Sequence, residues 1–158
     1  MRALVATVLL VIASSAGAQG YFGASIGQSN LEGANDTAAK GFAGYYFPPN
    51  FAIEVGYGDL GSISRNGRSA SISAFDLSFI GLWELGNRFA LLGRVGAYRA
   101  ETSGAGVNLG PIFGVGLSYE LTHSASFRLE WTRYDKLGPD TQPALDIDVL
   151  SIGALYRF

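Results

Sequence analysis

The chain contains no cysteine, which excludes disulfides, a thiol nucleophile, a zinc–thiolate site and a lipid-modified N-terminal cysteine. Its single histidine excludes any multi-histidine metal site. Charged residues make up only 15%, against ~25% in ordinary soluble domains. The net charge of −2 gives none of the basic footprint of a nucleic-acid binder. What is abundant is glycine, 22 of 158 residues, together with 10 Phe, 8 Tyr and 2 Trp. Apolar residues reach 48%, too many for intrinsic disorder. The length suits one domain.

Residues 1–18 have the three parts of a secretory leader. Arg2 is a positive n-region, Ala3 to Ala13 a short apolar core, and Ala16-Gly17-Ala18 the small-x-small site of a signal peptidase. A membrane helix needs ~20 apolar residues, and this run is far shorter. Cleavage before Gln19 removes Arg2 and takes the net charge from −2 to −3. The expected domain organisation is therefore a signal peptide over 1–18 and one domain over 19–158.

From Gln19 onward, large apolar residues alternate with small or polar ones. In Phe51-Ala52-Ile53-Glu54-Val55-Gly56-Tyr57 the odd positions are large; in Phe127-Arg128-Leu129-Glu130-Trp131-Thr132 the polar residues share one face. Phe75 to Phe79 and Phe113 to Glu120 repeat the split. A period of two marks a strand between two different environments, and no helical stripe competes with it. Eight segments follow, at about 20–28, 39–47, 51–59, 71–84, 88–98, 109–121, 125–134 and 147–158. Most are longer than ordinary soluble strands and match the ~9–11 residues that cross a bilayer at a tilt. Tight connections (Pro48-Pro49-Asn50, Leu85-Gly86-Asn87, Thr122-His123-Ser124) alternate with longer polar ones at 29–38, 60–70, 99–108 and 135–146. Short periplasmic turns alternating with longer external loops is an outer-membrane pattern. The fold expected is all-β: an eight-stranded antiparallel transmembrane β-barrel with up-and-down meander order.

The apolar face is then lipid-facing and the other face lines the lumen. Gly56, Gly58, Gly114, Gly116 and Gly153 fall on the lumen face, with Glu54, Asp76, Arg94, Glu120, Arg128, Glu130 and Arg157. These seven charges read as a channel lining or catalytic carboxylates, or else as an ion-pair plug. The interior of eight strands is just wide enough for side chains to fill, which favours the plug. Aromatic belts are expected from Tyr21, Tyr46, Phe51, Trp83, Phe89, Tyr119, Tyr156 and Phe158 at the turn side, and from Tyr57, Phe75, Trp131 and Tyr134 at the loop side.

The segments Gly41-Phe42-Ala43-Gly44-Tyr45-Tyr46 and Phe51 to Gly61, with the final Ile152-Gly153-Ala154-Leu155-Tyr156-Arg157-Phe158, resemble the small OmpA-like, porin-family outer-membrane β-barrel proteins of Gram-negative bacteria. The resemblance spans the mature chain. It implies that Tyr156 and Phe158 form the signal read by the outer-membrane assembly machinery. Unlike full-length OmpA, the chain stops at the last strand, so anchoring through a peptidoglycan-binding domain is not expected.

Chemistry is sparse. A lipid A deacylase needs a serine with a histidine base. His123 with Ser124 or Ser126 is the only pair available, and it falls in a turn on the wrong side for that substrate. Asp146 and Asp148 share one strand face without a calcium-loop motif, and read as a solvated rim. Arg65 and Arg68 are candidates for contact with lipopolysaccharide phosphates. No catalytic, cofactor or metal residue is assigned, and no cofactor is expected. The expected function is a non-enzymatic integral outer-membrane protein with a structural or surface-interaction role. The alternatives are a narrow channel for small solutes, a lipid-modifying enzyme and an adhesin. Expected partners are outer-membrane lipid, lipopolysaccharide and the assembly machinery, with no nucleic acid, an unidentified external ligand and a monomeric state.

Overall fold

The computed structural model describes residues 19–31, 34–65, 68–102, 106–137 and 145–158. The leader read over residues 1–18 lies outside the described residues, as do the side chains of Arg65 and Arg68. All eight described elements are strands: β1 (Gln19–Leu31), β2 (Ala34–Phe47), β3 (Phe51–Arg65), β4 (Arg68–Gly86), β5 (Phe89–Thr102), β6 (Gly106–Glu120), β7 (Ala125–Leu137) and β8 (Leu145–Arg157). Each pairs antiparallel with its neighbour in sequence, and β8 returns to β1 to close the barrel. The seam runs from Tyr21 opposite Arg157 to Leu31 opposite Ile147. Past it, the Phe158 N–H donates to the Gly20 carbonyl at 3.0 Å, so pairing reaches the last residue.

The strands are longer than the alternation predicts at the end away from the turns. Residues 29–38 read as a loop, yet Ser29 pairs with Asp36 and Leu31 with Ala34. The same happens at Arg65 opposite Arg68, Thr102 opposite Gly106 and Leu137 opposite Leu145. The connections at 29–38, 60–70 and 99–108 are therefore largely extended hairpin, and pairing continues into 135–146 as far as Leu137 and Leu145. The reason is that alternation reports contrast between faces. Beyond the hydrocarbon both faces are polar, so the pattern fades while backbone pairing continues. One irregularity sits there: between Asp59 and Ser62 the β3–β4 register shifts, Gly61 takes φ +103°, and its N–H donates to Asp59 Oδ1 at 2.8 Å. This is a glycine bulge.

The turns are compact. Residues 48–50, 87–88 and 121–124 join strands at one end, which we call the turn end. Asn87 and Arg88 both have positive φ, 52° and 70°. That is what a two-residue type I′ hairpin needs, and its twist matches the flanking strands. Arg88, read as the first residue of a strand, is thus in the turn.

The outer surface carries the apolar face. On β4 alone Phe75, Leu77, Phe79, Trp83 and Leu85 point outward and are exposed. This run, tilted as barrel strands are, spans the ~25 Å apolar band of an outer-membrane barrel. Ring pairs gird the turn end: Phe22 with Tyr156 at 6.0 Å, Phe47 with Phe51 at 5.5 Å and Phe89 with Tyr119 at 4.8 Å. Tyr57, Phe75 and Trp131 mark the opposite belt. Tyr21, Tyr46 and Tyr134 do not belong to these belts. Tyr21 and Tyr134 are buried in the lumen, and Tyr46 packs against the lumen cluster. Their parity explains it: Tyr134 lies in step with Arg128, Glu130 and Thr132, not with Trp131.

A depth test separates lipid face from rim. Phe79→Arg, at the middle of the band, is expected to destabilise the barrel by ~2–4 kcal/mol. Glu101→Arg, on the same outer face beyond the band, is expected to change stability by less than ~1 kcal/mol. Denaturant unfolding in lipid vesicles measures both, and equal losses would refute the placement of the membrane.

Candidate functional site: a neutral charge layer inside the barrel

Inward positions at mid-height bring six charges together. Arg94 on β5 is the hub. Its Nη2 donates to Glu54 Oε1 on β3 at 2.6 Å and to Glu130 Oε2 on β7 at 3.2 Å, its Nε donates to Glu130 Oε1, and its Nη1 lies 3.6 Å from Asp76 Oδ1 on β4. Arg128 Nη1 donates to Glu54 Oε2 at 2.9 Å. Lys40 Nζ on β2 lies 2.7 Å from Asp76 Oδ2 and 3.0 Å from Oδ1. Neutral hydroxyls complete the carboxylate shells. Tyr21 donates to Glu54 at 3.0 Å, Ser78 to Asp76 at 3.2 Å and Thr132 to Glu130 at 3.0 Å.

Three acids face three bases, so the layer is neutral. Glu54, Asp76 and Arg94 are almost wholly buried. Charges so far from water persist only when paired, and each of the six has an ion-pair partner here, although Arg94 Nη1 and Arg128 Nε make no hydrogen bond. The register makes it so: Glu54 lies opposite Ser78, Gly56 opposite Asp76, and Gly116 opposite Glu130. Gly56 leaves the room that the Lys40–Asp76 pair occupies. A Cβ there would collide with Lys40 Cε and stand 2.9 Å from Asp76 Oδ2, in the middle of the ion pair.

Of the seven lumen charges predicted from sequence, Glu54, Asp76, Arg94, Arg128 and Glu130 meet in this layer. Glu120 and Arg157 stand apart at the turn end. Glu120 lies 3.6 Å from His123 Nδ1, and the Arg157 guanidinium lies over the Tyr46 ring at 5.2 Å. The reading missed Lys40. Its signal was available, since Lys40 shares parity with Phe42, but it fell at the margin of a segment started at 39. It also missed the inward Tyr21 and Phe42, whereas Ser78 and Thr132 lie on the polar face it had assigned to the lumen.

The lumen is less polar than predicted. On the far side of the charge layer, Leu60, Ile72, Tyr98, Ile112, Tyr134 and Ile147 form an apolar cluster with small neighbours. Tyr98 and Tyr134 meet edge to face at 5.2 Å, and the Tyr98 hydroxyl donates to the Asp135 carbonyl at 2.7 Å. On the turn side, Tyr21, Phe42, Ile80, Leu92 and Leu155 form a second cluster. Between them a cavity of about 30 Å³ borders Arg94, Arg128 and Glu130. That is room for a water molecule rather than a channel. A larger chamber of about 280 Å³ lies at the turn end.

The remaining candidates sit elsewhere. His123 is fully exposed in the 121–124 turn, and Ser126 is buried facing the lumen. Tyr156 and Phe158 are exposed on the outer face of the turn end. Asp148 accepts two bonds from Arg133, at 2.7 and 2.8 Å, on the outer face of the far end, and Asp146 is exposed beside it. Arg133 also lies over the Trp131 ring at 5.3 Å. Among the described residues no group of three or more His, Asp or Glu could hold a metal ion.

With this geometry in view, residues 3–158 match the family model described as outer membrane protein beta-barrel domain. No curated protein matches the sequence. Solved structures do. Neisserial surface protein A superposes with TM-score 0.71 at 17% identity, covering 90% of this chain and 98% of that one. The N-terminal β-barrel domain of Pseudomonas aeruginosa OprF gives 0.63 at 12% identity, covering 89% and 99%. The outer membrane enzyme PagL gives 0.57 at 15% identity, covering 85% and 97%. Identities this low speak for the fold alone, which both an enzyme and other barrels share.

The charge layer is expected to respond as a unit. Arg94→Met leaves an excess carboxylate in the lumen and should cost ~3–5 kcal/mol. Adding Glu130→Gln leaves Glu54 with Arg128 and Asp76 with Lys40, so part of that loss should return. A double-mutant cycle by urea unfolding should give a coupling of at least ~1 kcal/mol. Additive losses would mean the pair is energetically independent.

Proposed function

The chain belongs to the family of outer membrane β-barrel domains, and from that premise we propose that it is a non-conducting, non-enzymatic barrel acting through its membrane-embedded and outward-facing surface. The observation that carries this reading is the stacking inside the lumen. A neutral ion-paired layer is capped toward the far end by a buried apolar cluster. A solute crossing it would need to break buried ion pairs and then leave water altogether. The narrow-channel alternative asks only for the first step, so the second layer weighs against it.

In this reading residues 1–18 direct export and are removed. The three tight turns face the periplasm. Tyr156 and Phe158 present the terminal aromatic signal to the assembly machinery. The far-end hairpins reach beyond the outer leaflet, where Arg133 and the Arg65 and Arg68 segment meet lipopolysaccharide and any external ligand. The barrel needs no partner to satisfy its backbone, which supports a monomer. Against catalysis stands the chemistry: the only histidine lies exposed in a turn at the end opposite those hairpins.

Planar-bilayer recording tests the reading. The refolded protein should be silent. Arg94→Ala should be silent as well, because Tyr98, Ile112 and Tyr134 remain in place. Combining Arg94→Ala with Tyr98→Ala and Ile112→Ala should produce steps. Reproducible unitary conductance from the unmodified protein would overturn the proposal, and an altered lipid A mass on expression would overturn its non-enzymatic part.

A further inference from the structure

The turn-end chamber has two unlike walls. On one, β6, β7 and β8 place hydrogen-bonding groups side by side: Ser118 lies opposite Arg128 in register, Ser126 is two residues before Arg128, and Arg157 closes the row. On the other, Ala52, Ile80 and Leu82 from β3 and β4 present hydrocarbon, with Glu84 in step with them nearer the turns. The volume, about 280 Å³, exceeds the ~150 Å³ that accommodates benzene in an apolar cavity.

The polar wall has unspent donors. Arg128 is buried and uses Nη1 on Glu54, while its Nε has no hydrogen-bond partner. Arg157 Nε is also buried without a partner. Buried donors left unpaired are costly, and two of them border the same chamber. Acidic groups are present too, but at the rim. Glu84 and Glu120 stand near the turns, with Glu84 exposed and Glu120 beside His123. Arg88 at the same rim reaches only the Leu121 carbonyl, at 3.4 Å. Positive charge thus lies deeper than negative charge. A singly charged head suits this arrangement, because a doubly charged one would face both rim carboxylates on entry.

We propose that this chamber is a binding site for a small organic monocarboxylate with a compact apolar body. The carboxylate lies toward Arg157, Arg128 and Ser126, and the body rests on Ile80 and Leu82. Toward the middle of the barrel the chamber ends on Arg128 and on Tyr21, Ala52, Ile80 and Leu155 of the turn-side apolar cluster. Binding there is retention at the turn-end mouth and not a step in transport. The inference is independent of whether the barrel conducts.

The probe is 4-fluorobenzoate, followed by fluorine NMR with the protein in lipid nanodiscs, with 4-fluorobenzyl alcohol as the uncharged control. Saturable binding of the benzoate is expected, with the alcohol at least tenfold weaker. Arg157→Gln should weaken the benzoate about tenfold, the loss expected for one charge-assisted hydrogen bond. Leu82→Trp, which fills the chamber from the apolar wall, should abolish binding. Heat-modifiable gel mobility verifies that each variant is folded. Equal signals from the unmodified protein and both variants would mean partition into lipid and would overturn the site. Unchanged affinity in Arg157→Gln would overturn carboxylate recognition whatever Leu82→Trp does.

Discussion

Hydrocarbon offers no hydrogen bonds, so every backbone N–H and C=O that enters it must find a partner inside the protein. Closure of β8 on β1 is the step that meets this demand. It removes the last two edges of the sheet and leaves no strand unpaired. The rest of the molecule follows from it. Eight strands fix a lumen too narrow for bulk water, and the period of two then sends alternate residues either to lipid or into that narrow space. A side chain facing inward must fit, and if charged it must find a counter-charge within reach.

The interior answers with layers. Small residues at inward positions allow the backbone walls to approach. Into the remaining room go one ionic layer and two apolar ones. A buried ion-pair layer is no great source of stability, since hydrophobic replacements of similar volume often do as well. What it does impose is register. Lys40, Glu54, Asp76 and Arg94 come from four different strands and Arg128 and Glu130 from a fifth, and a slip of one residue in any of these strands would turn its charge toward lipid. The layer thus disfavours wrong pairings more than it strengthens the right one.

Legibility in the sequence follows the same physics. Where lipid lies on one side and a packed lumen on the other, contrast between faces is strong, and the order of strands and the inward set could be read from Phe51 to Tyr57 or from Phe127 to Thr132. Where contrast fades, reading fails. The far halves of β1 and β2 looked like loop because Ser29, Asn35 and Thr37 are polar on both faces, although they pair in the sheet. Tyr134 was misplaced for a different reason. Tyrosine suits both a membrane interface and a small lumen, and only parity decides between them. The join between Lys40 and Asp76 was hidden because it depends on register between β2, β3 and β4, and a single strand's pattern carries no register.

Seen from the lipid, the outer surface and the inner layers divide the work between them. The apolar band and its aromatic rings set depth in the membrane, and mutations there act through transfer energy. The lumen, filled by its ionic layer and two apolar clusters, sets the sequence-specific alignment of strands. Neither task consumes the groups at the two ends. At the far end, Arg133 is held by Asp148 and lies over Trp131, a cation fixed at the level where hydrocarbon gives way to head groups. At the turn end, Arg157 and Arg128 border a chamber they do not fill. If the middle is shut, as proposed above, those two ends are chemically separate. Recognition at either end would then take place on one side of the membrane at a time, by side chains set on the closed sheet.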